Sequence, residues 1–193
     1  MESVYTAYLS VIRRSCCPSS GTDIVILPEE AKALADLSRE HRTAPFLLPF
    51  LHGTDCYPSL KQQTKSMMLN YYQIEHFTRY TVSLLAEHHI SCYLLKGLSL
   101  ADCYPVPEYR KLGDLDLYIN DKDAFAQAKR ILEAQGYIDE EELSDHHVTY
   151  RYRFSKTGRD FLLELHYRVV GLYQYSRANK IVNEVFSSDH LGR

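Results

Sequence analysis

The hydrophobic period of the chain changes at His89, and this change limits the fold more than any other feature. Before it, the segment from Pro58 to about His88 places apolar side chains at helical spacing without an internal proline or glycine. Such a segment predicts one long amphipathic helix. After it, short apolar runs rich in strand-forming residues alternate with turn residues. Helices followed by a mixed sheet indicate an α+β protein.

Shorter helices are expected before the long one. Apolar side chains recur at helical spacing over residues 4–12, and a second helix is predicted from Pro28 to about His41, because proline suits the first helical turn. We therefore divide the chain into an N-terminal helical region, residues 1–88, and an α+β core, residues 89–193. A short closing helix is expected within the core, from about Ser176 to Phe186.

The second half alternates strands with turns. Strands are predicted over residues 90–95, 112–119, 146–154 and 160–168, together with a helix over 122–135 that Asn120 caps. The last two strands flank Ser155–Arg159, a loop typical of an antiparallel hairpin.

The composition is that of an ordinary folded protein. Of the 193 residues, 45% are hydrophobic and 24% are charged, which excludes disordered and coiled-coil chains. A net charge of -3 provides no general cationic field for nucleic acid. No apolar run approaches the ~20 residues of a membrane span, and no secretory signal begins the sequence, so we expect a cytoplasmic location. The five cysteines lack CxxC pairs and are expected to be free thiols.

Acidic residues follow the strand period of two. Asp114 and Asp116 share one face of their predicted strand, with Cα atoms ~6.6 Å apart, and Glu164 and His166 share a face of another. If the two strands are neighbours, Glu164 joins the two aspartates. Three adjacent carboxylates repel one another unless a cation neutralises them. Oxygen ligands of this kind suit Mg²⁺.

These residues belong to a longer pattern: Tyr93-Leu94-Leu95-Lys96-Gly97, then Arg110, then Asp114-Leu115-Asp116-Leu117, and later Leu163-Glu164-Leu165-His166 and Arg168. The pattern resembles the bacterial nucleotidyltransferase family of the DNA-polymerase-β-like superfamily, most clearly from about Leu84 to Arg168. The resemblance implies a polymerase-β-like core, a mixed β-sheet with flanking helices. It also implies transfer of a nucleoside monophosphate from an NTP such as ATP to an acceptor hydroxyl, with release of pyrophosphate.

The resemblance also implies roles for individual residues. Asp114, Asp116 and Glu164 would be the catalytic acids and would bind two Mg²⁺ ions, or Mn²⁺ in their place, and Glu164 could accept the proton of the attacking hydroxyl. His166 could lie in the second shell of this site or contact the substrate. The nucleotide phosphates would be bound by Lys96, Gly97, Ser99 and Arg110. The acceptor could be a small molecule, an RNA or a protein.

The sequence departs from the superfamily pattern at the turn. Leu98 separates Gly97 from Ser99, the stretch to Asp114 is longer than usual, and little sequence follows the third carboxylate. These departures leave open an alternative function. The chain could be a catalytically inactive nucleotide-binding or protein-interaction module with the same fold.

Several residues also have simpler interpretations. Glu164 could form a salt bridge with Arg168 or Arg153, Lys96 could point to solvent, and His166 could be a partly buried histidine without a chemical role. The pairs His88-His89 and His146-His147 lack a third residue at zinc-binding spacing. The segment Tyr150–Phe154 alternates basic and aromatic residues, so it could bind nucleic acid or could pack as a tyrosine-rich sheet.

Overall fold

A computed structural model of the protein describes residues 2–17, 24–141, 143–155, 158–172 and 176–185. Contacts within the chain divide it into two compact units. The first comprises residues 1–73 and 100–112, and the second comprises residues 74–99 and 113–193. The chain therefore leaves the first unit, returns to it once, and then ends in the second.

The first unit is helical. It contains α1 (Glu2–Cys16), α2 (Pro28–Glu40), the short α3 (Ala44–Leu47), the start of α4 (Tyr57–Glu87), and 3₁₀ turns at Leu48–Leu51 and Pro107–Tyr109. Pro28 occupies the first turn of α2 with two acidic residues beside it, as a helix N-terminus favours. Val11, Leu34, Leu47 and Leu51 are fully buried and form the centre of the apolar core of this unit. A further 3₁₀ segment, Gly97–Cys103, follows the first strand.

The second unit is built on a mixed sheet. Its strands are β1 (Tyr93–Leu94), β2 (Leu115–Tyr118), β3 (Ile138–Asp139), β4 (His147–Arg153) and β5 (Asp160–His166), and its helices include α5 (Lys122–Ala134) and α6 (Ser176–Val185). In the described part of the chain these strands form one sheet in the order β1-β2-β5-β4-β3. Strands β2 and β5 are parallel, whereas the other pairs are antiparallel. The predicted α+β class is confirmed.

The last part of α4 packs within the second unit through aromatic side chains. Phe77 is fully buried, and its ring centroid lies 5.0 Å from that of Phe161 and 6.0 Å from that of Tyr152. Thr81 and Tyr137 join their hydroxyl groups in a buried hydrogen bond of 2.8 Å. The aromatic stripe of this helix is therefore part of the core, as its helical spacing indicates.

The long helix and the hairpin were predicted close to their observed bounds, but two strands were predicted too long. Ile90 and Leu112 are almost fully buried, yet neither residue belongs to a strand. Their apolar side chains signalled burial, which does not by itself require ladder hydrogen bonds. The predicted cap of α5 was also wrong by one residue: Asp121 Oδ1 accepts the hydrogen bond from the Ala124 backbone N–H.

Two further predictions concern membrane-spanning helices and the cysteines. Within the described residues, no helix combines the length and the hydropathy needed to cross a membrane. All five cysteines are free thiols, as predicted.

Candidate active site

The parallel pairing of β2 with β5 places the acidic side chains of the two strands side by side. Asp116 lies directly opposite Glu164 in the ladder, and Tyr118 lies opposite His166. The side chain of Asp116 is fully buried, whereas that of Glu164 is 23% exposed. Asp114 lies just before β2 and is more open to solvent. The structure therefore brings together the three carboxylates singled out in the sequence.

The ammonium group of Lys96 lies among these three carboxylates. Its Nζ is 3.0 Å from Asp116 Oδ1, 3.8 Å from Asp114 Oδ2 and 3.9 Å from Glu164 Oε2. Lys96 occupies this position because it follows β1, which pairs with β2. Lys96 therefore contacts the acids, while its side chain remains 53% exposed to solvent.

Gly97 allows the chain to turn immediately after Lys96. Its φ of +66° lies in the left-handed region, which a residue with a side chain rarely adopts. Ser99 helps to close the turn, since its hydroxyl lies 2.9 Å from the Leu95 carbonyl oxygen and 3.3 Å from that of Lys96. The turn therefore begins directly after Lys96, whose side chain lies beside the three carboxylates.

His166 completes the cluster from the end of β5. Its Nε2 is 3.2 Å from Asp116 Oδ1 and 3.3 Å from Glu164 Oε2, and its Nδ1 is 3.2 Å from the Arg168 carbonyl oxygen. Only 3% of the residue is exposed. The sequence placed His166 on the same strand face as Glu164. The contact of His166 with Asp116 depends on the parallel pairing of β2 with β5.

Contacts within the cluster lower the pKa of Asp116 and raise the pKa values of Glu164 and Lys96. Burial on its own raises the pKa of Asp116, but hydrogen bonds with His166 and Lys96 outweigh it and the pKa is lowered. Burial raises the pKa of Glu164, and the adjacent Asp116 carboxylate raises it further. The pKa of Lys96 is raised despite partial burial, because the hydrogen bond and the negative charge of Asp116 favour the ammonium form.

One oxygen of the cluster lacks a donor. Asp116 Oδ2 is buried and accepts no hydrogen bond from the residues that the structure describes. A buried carboxylate oxygen without a protein hydrogen-bond donor is costly to leave unpaired. Such an oxygen is suited to a cation.

Arg110 was predicted to bind phosphate together with Lys96. It belongs to the first unit, where its Nη1 donates a hydrogen bond to the Tyr104 hydroxyl and its guanidinium lies 5.6 Å from the Tyr104 ring centroid. Its role in nucleotide binding stays a prediction.

The sequence offers Arg153 and Arg168 as alternative partners for Glu164. Arg153 instead lies 3.7 Å from Asp160, and Arg168 Nε and Nη2 are buried without a hydrogen-bond partner among the described residues. Among the described residues, Glu164 Oε2 instead lies 3.9 Å from Lys96 Nζ and 3.3 Å from His166 Nε2. The salt-bridge interpretation with either arginine is therefore wrong.

Basic and aromatic side chains of β4 contact other residues of the fold. Arg151 lies 2.6 Å from Glu140, while Tyr150 is fully buried and Tyr152 packs against Phe77. These contacts favour the interpretation as a tyrosine-rich sheet over a nucleic-acid surface.

The histidine pair at the start of β4, of which His147 is the first strand residue, gains a companion through the sheet. His146, His147 and His166 place potential ligand nitrogens within 4.8 Å of one another, as do the ligand atoms of Asp116, Glu164 and His166. Sequence spacing could not reveal the first group, because His166 reaches it by pairing with His147 across β4 and β5.

Comparison with protein families identifies a match over most of the chain. A family model described as "Uncharacterised nucleotidyltransferase" matches residues 28–190, which include every member of the carboxylate cluster. Comparison with curated proteins and with solved structures gives no significant match.

Proposed function

Because the chain belongs to this family of uncharacterised nucleotidyltransferases, we propose that it transfers a nucleoside monophosphate from an NTP to a hydroxyl-bearing acceptor in a divalent-metal-dependent reaction that releases pyrophosphate. The proposal includes placement of the mixed sheet in the polymerase-β-like superfamily. The observation that carries it is the set of three carboxylates around one ammonium group, with the buried Asp116 at its centre.

The residues present fit a divalent cation. Their donors are carboxylate oxygens, and the buried Asp116 Oδ2 lacks a hydrogen-bond partner among the described residues. Asp114, Asp116 and Glu164 would hold two Mg²⁺ ions, for which Mn²⁺ could substitute. When bound, the ions supply neutralisation of the charge that develops on the transferred phosphoryl group and on the departing pyrophosphate.

Glu164 is suited to deprotonate the acceptor. Its side chain is 23% exposed, unlike that of the buried Asp116, so its carboxylate is accessible to an acceptor hydroxyl. In the proposed step, a carboxylate oxygen of Glu164 takes the hydroxyl proton while the acceptor oxygen bonds to the α-phosphorus. The bond from that phosphorus to the bridging oxygen breaks, and pyrophosphate leaves with its electron pair.

Lys96 is suited to contact the carboxylates of the cluster before a nucleotide binds and the nucleotide phosphates afterwards. Its exposed stem allows the ammonium group to leave Asp116 and contact the triphosphate of an incoming nucleotide. Gly97 and Ser99 would form the phosphate-binding turn beside it, and Arg110 would contribute a planar, bidentate phosphate contact. Charge neutralisation and positioning would then supply most of the rate enhancement.

A second candidate function rests on Lys96 itself. Its ammonium group already neutralises part of the acidic cluster, as it could in a module that binds nucleotides or proteins without catalysis. Pyrophosphate release would exclude this candidate. Binding of an NTP without turnover on any acceptor would favour it.

The test combines nucleotide binding with turnover. We would measure thermal unfolding with ATP, GTP, CTP and UTP, with and without Mg²⁺, and pyrophosphate release with small alcohols, RNA and protein as acceptors. An NTP at ~100 times its Kd adds about 2.7 kcal/mol to the free energy of unfolding, which is readily detected.

Asp114→Asn and Asp116→Asn are each expected to lower turnover at least about 100-fold, because each removes a charge that holds the cation. Asp123→Asn, which changes an exposed aspartate on α5, is the matched control and should retain activity. Full activity in either cluster variant would refute the proposed mechanism.

A further inference from the structure

We propose that His166 is itself a metal ligand, so that Asp116, Glu164 and His166 together hold one divalent cation through two carboxylates and an imidazole. This inference rests on the proposed function, because it concerns the cation of the same site. It assigns to His166 a direct contact in place of the supporting role implied by the family resemblance.

The orientation of the ring follows from its contact with the backbone. Nδ1 lies 3.2 Å from the Arg168 carbonyl oxygen, and a carbonyl oxygen can only accept a hydrogen bond. Nδ1 therefore carries the hydrogen of this contact. Nε2, which donates to Asp116 Oδ1 when no metal is bound, is the nitrogen that a cation would bind, and binding would release its proton. A histidine anchored to a backbone carbonyl in this way is the usual arrangement among metal-binding histidines.

The distances around Nε2 suit neighbouring ligands of one ion. Nε2 is 3.2 Å from Asp116 Oδ1 and 3.3 Å from Glu164 Oε2. Metal–ligand bonds of about 2.1 Å place adjacent donors of an octahedral ion ~3 Å apart. All three donor groups lie within 4.8 Å of one another. Small side-chain movements could therefore bring them around a single cation.

A second observation points to a cation at the same carboxylate, at the oxygen that neither His166 nor Lys96 contacts. Asp116 is fully buried at its side chain, yet its Oδ2 has no hydrogen-bond donor in the described part of the chain. Lys96 Nζ, a monovalent cation on a flexible stem, already lies 3.0 Å from the other oxygen of the same carboxylate. The Lys96 ammonium group therefore pairs with one oxygen of Asp116 and leaves the other without a partner among the described residues.

The neighbouring histidines are less suited to share this ion. His146 Nδ1 lies 2.8 Å from Asp145 and 3.1 Å from Ser144, and His147 Nδ1 lies 3.2 Å from the same Ser144 hydroxyl. These contacts turn one nitrogen of each ring to the Ser144 segment. His146 and His147 therefore provide matched controls.

Imidazole ligation has a consequence for metal preference. A nitrogen donor favours transition-metal ions, whereas Mg²⁺ favours oxygen donors and retains water. We therefore expect the site to bind Mn²⁺ more tightly than Mg²⁺, and His166→Gln to reduce this preference.

The experiment probes the ligands of Mn²⁺ directly, in the 193-residue protein with Mn²⁺ as the added metal. Pulsed electron paramagnetic resonance of bound Mn²⁺ should show coupling to a nitrogen nucleus, and labelling of the histidines with ¹⁵N should change that coupling. His166→Gln should remove the coupling and weaken Mn²⁺ binding at least about tenfold. His146→Gln and His147→Gln should leave both unchanged.

The outcomes separate this inference from the proposed function. Bound Mn²⁺ without nitrogen coupling would refute ligation by His166 and leave a carboxylate site intact. Coupling lost in the His146 or His147 variant but kept in His166→Gln would also refute it. Absence of Mn²⁺ binding, with or without an NTP, would overturn both proposals. If His166→Gln does not fold, coupling retained in the double variant His146→Gln/His147→Gln leaves His166 as the histidine of this group that carries it, and coupling lost there refutes the inference.

Discussion

At the scale of single residues, Asp116 and Glu164 show how one cluster gives neighbouring acids opposite properties. Asp116 is fully buried but has Lys96 and His166 as partners, and its pKa is lowered. Glu164 is partly exposed, but its pKa is raised by burial and by the charge of Asp116. The same contacts therefore stabilise one ionised carboxylate and oppose the ionisation of the other.

The raised pKa of Glu164 predicts a gain in stability for Glu164→Gln in the absence of metal. Because the folded-state pKa lies above the ordinary 4.5, ionisation of Glu164 lowers the free energy of unfolding as the pH rises through the folded-state pKa. A neutral glutamine avoids this loss. We expect a higher Tm for the variant at neutral pH in EDTA, where each kcal/mol corresponds to about 2–4 °C.

The pH dependence tests the cause of this gain. Well below pH 4.5 the glutamate is protonated in both folded and unfolded protein, so the Tm difference should disappear. Glu87→Gln, an exposed glutamate at the end of α4, should show no comparable gain. An unchanged or lower Tm for Glu164→Gln at neutral pH would contradict the expectation.

At the scale of elements, polar residues at the ends of β1 and α5 make contacts that fix those ends. The turn at Gly97 brings Lys96 from the end of β1 to the acids of β2. The N-terminus of α5 is held by Asp121, whose Oδ1 accepts a hydrogen bond of 2.7 Å from the Ala124 backbone N–H. Asn120, the cap expected from the sequence, instead accepts a hydrogen bond from the Tyr118 hydroxyl.

Removal of the cap should destabilise α5. Asp121→Ala leaves an N–H group of the first turn without its acceptor, and we expect a loss of about 1 kcal/mol. Chemical denaturation followed by circular dichroism measures this loss. Asp121→Asn preserves an acceptor at the cap and should remain close to the wild type. Equal destabilisation by both substitutions would contradict the capping role.

At the scale of the whole molecule, α4 contributes to both units. Its residues up to 73 belong to the first unit and those from 74 onward to the second. Phe77 of the latter part is fully buried, with its ring stacked 5.0 Å from Phe161. The boundary expected after residue 88 stays a prediction, and these contacts indicate how it can be tested.

Expression of two fragments tests the boundary. A fragment of residues 89–193 lacks Phe77 and the rest of α4, so we expect no cooperative thermal transition. A fragment of residues 74–193 retains the aromatic core of the second unit and should unfold cooperatively. Cooperative unfolding of residues 89–193 would instead support the boundary expected from the sequence.

The sequence by itself determined the α+β class, the long helix, the hairpin and the identity of the acidic residues. These features depend on local period and on residue type, which are readable within a few positions. The alternation of Asp114 with Asp116, and of Glu164 with His166, likewise required only the geometry of a strand.

Only the tertiary structure decided what these residues contact. Asp116 and His166 are 50 positions apart in the sequence, and their contact depends on the parallel register of β2 and β5. Lys96 reaches the carboxylates through the pairing of β1 with β2. Such contacts are set by which strands pair and in which register, because these choices depend on the packing of the whole sheet rather than on local pattern.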